Sequence, residues 1–132
     1  MTYAGDLTPQ AALELLTNAD ALLLDVRTPH EWEHIGVPDV PGTAFVPWVV
    51  SLGGPPNADF VAQAQAAGAT PGRPVVALCR SGQRSVAAAH TLTAAGLGPV
   101  YNVLAGFEGD VGPDGQRGHT GWRADGLPWR SL

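Results

Sequence analysis

Two short apolar runs, Ala21 to Val26 (ALLLDV, interrupted only by Asp25) and Pro74 to Leu78 (PVVAL), constrain this chain more than any other feature. Each is too short for a typical helix and apolar at successive rather than alternate positions, so each reads as a strand buried on both faces. Helical signals surround them. Thr8 followed by Pro9 reads as an N-cap with proline at the first helical position, and Leu13, Leu15 and Leu16 give the segment through Asn18 an apolar face. Thr28 and Pro29 repeat that signal before His30-Glu31-Trp32-Glu33-His34, where one or two turns are expected. Asn57 is placed to cap a helix through Ala67, and Ser85 to Ala95 is strongly helical until Gly96 stops it. Thr43 to Val46 and Val100 to Leu104 read as further short strands. Strands that alternate with helices specify an α/β fold, a mostly parallel central sheet with helices on both faces.

The remaining segments read as connections. Gly36 to Gly42 and Ser51 to Pro56 are rich in glycine and proline, and the stretch from Gly106 to Gly121 is rich in glycine, proline and aspartate. Trp122 and Trp129, with Arg123 between them, are expected to pack over the core rather than to form a partner-binding patch. With 132 residues, 45% of them hydrophobic, and no repeat or linker, one domain over residues 1–132 is expected.

Charge and composition exclude several classes of function. Seven arginines, no lysine and twelve acidic residues give a net charge of -5, the wrong sign for attraction to a nucleic-acid backbone. No apolar run approaches the roughly 20 residues of a membrane helix, and MTYAGDLTPQ lacks the basic-then-apolar pattern of a signal peptide, so a cytoplasmic protein with no membrane partner is expected. The single cysteine, Cys79, cannot form an internal disulfide, a CxxC pair or a multi-cysteine zinc site.

Cys79 nevertheless stands where open α/β sheets put their ligands, in the loop Cys79-Arg80-Ser81-Gly82-Gln83-Arg84-Ser85 between the end of a buried strand and the start of a helix. Gly82 is free to take a positive φ, which would turn successive backbone N–H groups inward as an anion-binding nest. The following helix adds its own unpaired donors, and Arg80 and Arg84 are nearby cations. These are the surroundings that hold a cysteine as a reactive thiolate.

At this point the chain resembles the rhodanese-like sulfurtransferases. The resemblance rests on CRSGQRS after PVVAL, on LLLDVRTPHEW some fifty residues earlier, and on GFEG and GWRADGLPW toward the C-terminus, and it spans most of the chain. It implies that Cys79 takes a sulfane sulfur from a donor such as thiosulfate, holds it as a persulfide and passes it to cyanide or a thiol. Arg80 through Ser85 would bind the substrate, with Arg80 or Arg84 attracting the donor anion, and no metal or organic cofactor is required. Asp25 and Arg27 match a signature that is mostly structural in the family, while Glu31 and Trp32 match its acid-aromatic pair and are expected to cap and pack. The partners implied are a small sulfur-containing anion and a sulfur-carrier protein or low-molecular-weight thiol. One departure lies at Glu33-His34-Ile35-Gly36, where the family usually reads Gly-His-Ile, so the rim near Gly36 to Gly42 is expected to differ.

Loop length separates sulfur from phosphoryl transfer. Four residues lie between Cys79 and Arg84, one fewer than in cysteine phosphatases and similar arsenate reductases, and a shorter loop encloses a smaller anion. Leu78 also stands where the phosphatases usually carry histidine. A Cys-His hydrolase is disfavoured: His90 lies more than a turn beyond Ser85 and would not point back at Cys79, and His30, His34 and His119 lie elsewhere in the chain. The alternative that the sequence leaves open is a non-catalytic or carrier module of the same fold that binds a partner protein.

Overall fold

The structure, a computed structural model, describes residues 3–132. Its central sheet has the strand order β1 (Gly5–Leu7), β6 (Gly98–Val103), β5 (Pro71–Leu78), β2 (Leu22–Asp25), β4 (Ala44–Phe45), and every pairing in it is parallel. Four helices connect these strands: α1 (Pro9–Asn18), α2 (Pro29–Ile35), α3 (Phe60–Ala66) and α4 (Arg84–Ala94). A separate antiparallel ribbon joins β3 (Val37–Pro38) to β7 (Trp129–Arg130).

The two apolar runs are explained by two cores, one on each face of the sheet. Leu22 and Leu24 of β2 with Val75 and Ala77 of β5 point to one side, where Phe60, Ala64, Ala88, Ala89 and Leu92 from α3 and α4 cover them. Leu23, Val76 and Leu78 point to the other and meet Ala12 of α1, Val103, Phe107 and Trp122. Side chains alternate along a strand, so Cys79, two residues past Ala77, falls on the α4 side. Parallel pairing also brings the C-terminal ends of β2, β5 and β6 to one edge of the sheet, with Asp25 beside Leu78.

Helix starts follow the cap chemistry read from the sequence. Thr8 accepts from the Ala11 N–H at 3.1 Å with Pro9 at the first turn. Thr28 and Glu31 form a full capping box. Three elements differ from the sequence expectation. Asp59 rather than Asn57 precedes α3, and Asn57 instead accepts from the Asp59 N–H at 3.0 Å in a side-chain turn that leads into the helix. The edge strand β1 is only three residues long and half exposed, so it carries no hydrophobic pattern. The expected loop from Gly36 contains β3, whose partner β7 lies at the far end of the chain. No helix among the described residues is long and apolar enough to cross a membrane.

Candidate active site

Cys79 directly follows β5, and its residue surface is only 1% exposed. Its sulfur has polar company despite that burial. The Gly82 N–H donates to Sγ at 3.1 Å, and Ser85 Oγ lies 3.2 Å away. Gly82 takes a φ of +106°, a left-handed conformation that favours glycine and turns this amide inward. The loop therefore surrounds the sulfur with two hydrogen-bonding groups from its far side, where the helix begins. Ser81 is half-buried and Gln83 exposed, and neither side chain makes a hydrogen bond among the described residues.

The two loop arginines have different surroundings. Arg84, the first residue of α4, donates to Glu31 through Nη1 at 2.7 Å and Nη2 at 2.9 Å. A cation at a helix N-terminus opposes the macrodipole, and this bidentate pair compensates for it. Burial alone would lower the Arg84 pKa, but the hydrogen bonds and charge of Glu31, with attraction from Cys79 and Asp25, hold it above its ordinary value. Burial would likewise raise Glu31, yet Arg84 and the bonds from Thr28 hold it below the usual carboxylate range. Arg80 is half-buried, forms no ion pair among the described residues, and has its Nε buried with no partner among them.

Asp25 and Arg27 are fully buried and pair with each other rather than with the loop. Arg27 Nη2 donates to Asp25 at 2.7 Å and to the Gly36 carbonyl at 2.9 Å, and Arg27 Nε adds a bond to Asp25 at 3.0 Å. The guanidinium lies 4.2 Å from the centroid of Phe107, and Arg123 stacks on the same residue at 5.5 Å. The pair thus braces the strand end under the loop.

Two groups of residues outside the sequence-derived site shape it. Glu31, read as a capping charge, anchors Arg84 as well. Gly106-Phe107-Glu108 clamps the start of the loop, because the Phe107 N–H donates to the Cys79 carbonyl at 2.8 Å and the Glu108 N–H to the Arg80 carbonyl at 2.9 Å. A Cβ at Gly106 would lie 2.6 Å from the Arg80 carbonyl carbon, so only glycine allows this approach. The glycine pair in Gly106-Phe107-Glu108-Gly109 was the available signal for such a close contact. Trp122 is buried, with its indole N–H bonded to the Pro128 carbonyl at 2.7 Å, whereas Trp129 in β7 is 44% exposed.

The histidines are engaged elsewhere: His30 stacks on His34, His119 pairs with Asp114, and His90 stands edge-on to Tyr3. Among the described residues, no group of three or more His, Cys, Asp or Glu side chains is arranged to hold a metal ion. The arrangement is suited to a single sulfur nucleophile with a hydrogen-bonded anion cradle.

Known proteins resemble this chain over most of its length. The rhodanese-like domain pattern matches residues 8–111. An uncharacterized protein of Rickettsia conorii is 31% identical over 119 residues, 88% of each chain. The thiosulfate sulfurtransferase GlpE of Pseudomonas syringae pv. syringae is 32% identical over 108 residues, 82% of this chain and 88% of that one. Among solved structures, Rv0390 from M. tuberculosis superposes with a TM-score of 0.89 at 47% identity, covering 98% of this chain and 99% of that one. The polysulfide-sulfur transferase of Wolinella succinogenes gives a TM-score of 0.70 at 27% identity, over 99% of this chain and 80% of that one.

Proposed function

Because the chain belongs to the rhodanese-like family, we propose that it is a sulfurtransferase that accepts a sulfane sulfur on Cys79 from a thiosulfate-type donor and passes it to a thiophilic acceptor. The observation that carries this reading is the cradle itself: one cysteine sulfur at a strand-to-helix loop, held by the Gly82 N–H, with the neighbouring Arg80 in no ion pair among the described residues.

In the first half-reaction the Cys79 thiolate attacks the outer sulfur of thiosulfate. A new S–S bond forms to Cys79, the original S–S bond breaks, and sulfite departs with its electron pair. Arg80 attracts the dianion and offsets the charge that develops on the leaving sulfite. Arg84 is committed to Glu31 and its part is to hold the helix end in place. In the second half-reaction cyanide or a thiolate takes the terminal sulfur and the Cys79 thiolate is restored. A sulfur-carrier protein or low-molecular-weight thiol would serve as the cellular partner. With no second cysteine in the chain, the sulfur leaves to an outside acceptor.

Intact-mass measurement tests the proposal. Thiosulfate treatment should add about 32 Da, cyanide should remove it, and Cys79→Ala should abolish it. An unchanged mass would instead favour a module that binds a partner without carrying sulfur itself.

A further inference from the structure

Two consecutive peptide groups carry hydrogen bonds from the C-terminal segment to the cysteine loop. The Trp122 N–H donates to the Gly106 carbonyl at 2.9 Å, and the N–H of that same peptide group, on Phe107, donates to the Cys79 carbonyl at 2.8 Å. One residue on, the Arg123 N–H donates to the Phe107 carbonyl at 3.3 Å, and the N–H across that peptide bond, on Glu108, donates to the Arg80 carbonyl at 2.9 Å. Both lines begin in a segment beyond the residues that the family pattern matches.

What these lines do to the loop follows from peptide geometry. A trans peptide group is planar and points its C=O and N–H in opposite directions, so a bond accepted on one side fixes where the donor on the other side aims. Bonds linked in this way also polarise one another, and each strengthens the next. The same rule applies once more inside the loop. With the Cys79 and Arg80 carbonyls held by Phe107 and Glu108, the N–H groups that share their peptide planes, on Arg80 and Ser81, are turned away from the clamp.

The segment comes this close only because residue 121 is glycine. A Cβ there would lie 2.8 Å from the Gly109 nitrogen, 2.9 Å from the Gly106 oxygen and 3.0 Å from the Ala105 oxygen, all of them backbone atoms. The turn it would press on also backs Gly82, where an added Cβ would sit 3.6 Å from the Ala105 nitrogen. Next along the chain, Trp122 is buried and anchored by its indole bond to the Pro128 carbonyl.

We infer that Gly121-Trp122-Arg123 is a positioning segment for the sulfur-transfer step: through the Gly106–Phe107 and Phe107–Glu108 peptide groups it aims the Arg80 and Ser81 N–H groups into the loop, at the sulfur that Cys79 receives. The inference rests on the reading of Cys79 as the residue that takes up sulfur. No atom of the segment touches the substrate; it acts through the loop alone. Donors aimed at the transferring sulfur set the rate of the step, whereas attraction of the incoming anion belongs to the Arg80 side chain.

Alanine at two glycines of the same segment tests this. Gly121 and Gly126 are both left-handed, at φ +97° and +76°, so each substitution strains the backbone, but a Cβ at Gly126 meets nothing within 4 Å. Two readouts are taken below the Tm of every protein compared. One is the position of the Arg80 and Ser81 amide resonances, recorded by NMR without a sulfur donor; the other is the kinetics of thiosulfate loading. In Gly121→Ala both resonances should move, and the loading rate at saturating thiosulfate should fall about tenfold or more, with KM little changed. Gly126→Ala should leave resonances and rate as in the parent. Equal changes in the two variants would overturn the inference and assign the effect to a general loosening. So would a folded Gly121→Ala whose resonances stay in place, or whose resonances move without loss of rate. Should Gly121→Ala not fold, Trp122→Phe, which releases the bond to Pro128, replaces it with the same expected and overturning results. A parent protein that takes no sulfur from thiosulfate refutes the sulfurtransferase reading, and the resonances alone then decide whether the segment sets the loop.

Discussion

Glu31 shows how much one side chain can organise. Its carboxylate accepts from the Thr28 N–H and hydroxyl at the start of α2 and from both terminal nitrogens of Arg84 at the start of α4. Because its pKa is held below the ordinary value of 4.5, its contribution is present in full above that pH and is lost as the pH falls through the lowered value. Glu31→Gln should cost about 1–3 kcal/mol at neutral pH, and the gap to the parent should close in acid, as read from urea midpoints at a series of pH values. The arginines should separate cleanly in kinetics. Arg80→Ala should raise KM for thiosulfate about tenfold or more, the worth of a charge-assisted bond, with little change in Tm, whereas Arg84→Ala should lower Tm because it leaves the buried Glu31 carboxylate unpaired. Cys79, Gly82 and Ser85 were legible as a site because they fall within seven consecutive residues. The partner of Arg84 was not, because Glu31 is 53 positions away and its own local pattern was already explained as a cap.

Among the elements, those with strong local periodicity or caps appeared where the sequence put them, and those defined by a distant partner did not. The runs in β2 and β5 were readable because burial on both faces leaves apolar residues at successive positions. The edge strand β1 and the β3–β7 ribbon have no such string and exist by virtue of the chain they pair with. The segment after β6 was legible only as rich in glycine; its role emerges from the backbone bonds that Phe107 and Glu108 make to the cysteine loop. Gly106→Ala tests that clamp. At a φ of +57°, with its new Cβ against the Arg80 backbone, the variant should lose about 2 kcal/mol or more. Differential scanning calorimetry should show the lowered Tm, and Cys79 should alkylate faster as the loop loosens.

Across the whole molecule, the parallel sheet gathers segments remote in sequence at one edge, and charge follows the same division. A chain with a net charge of -5 still carries, next to its one thiol, an arginine that forms no ion pair among the described residues, so the attraction proposed for an anionic donor is local rather than global. Fold class could be read from the alternation of strands and helices because that pattern is repeated along the chain. The bracing of Phe107 between Arg27 and Arg123 could not, since it joins three separate segments. The ribbon adds an order in time. As the chain emerges from the ribosome, Val37 and Pro38 must wait for Trp129 and Arg130 before they find a neighbour, so a nascent chain already carrying its cysteine still lacks the last stitch beneath Gly36, whose carbonyl holds Arg27.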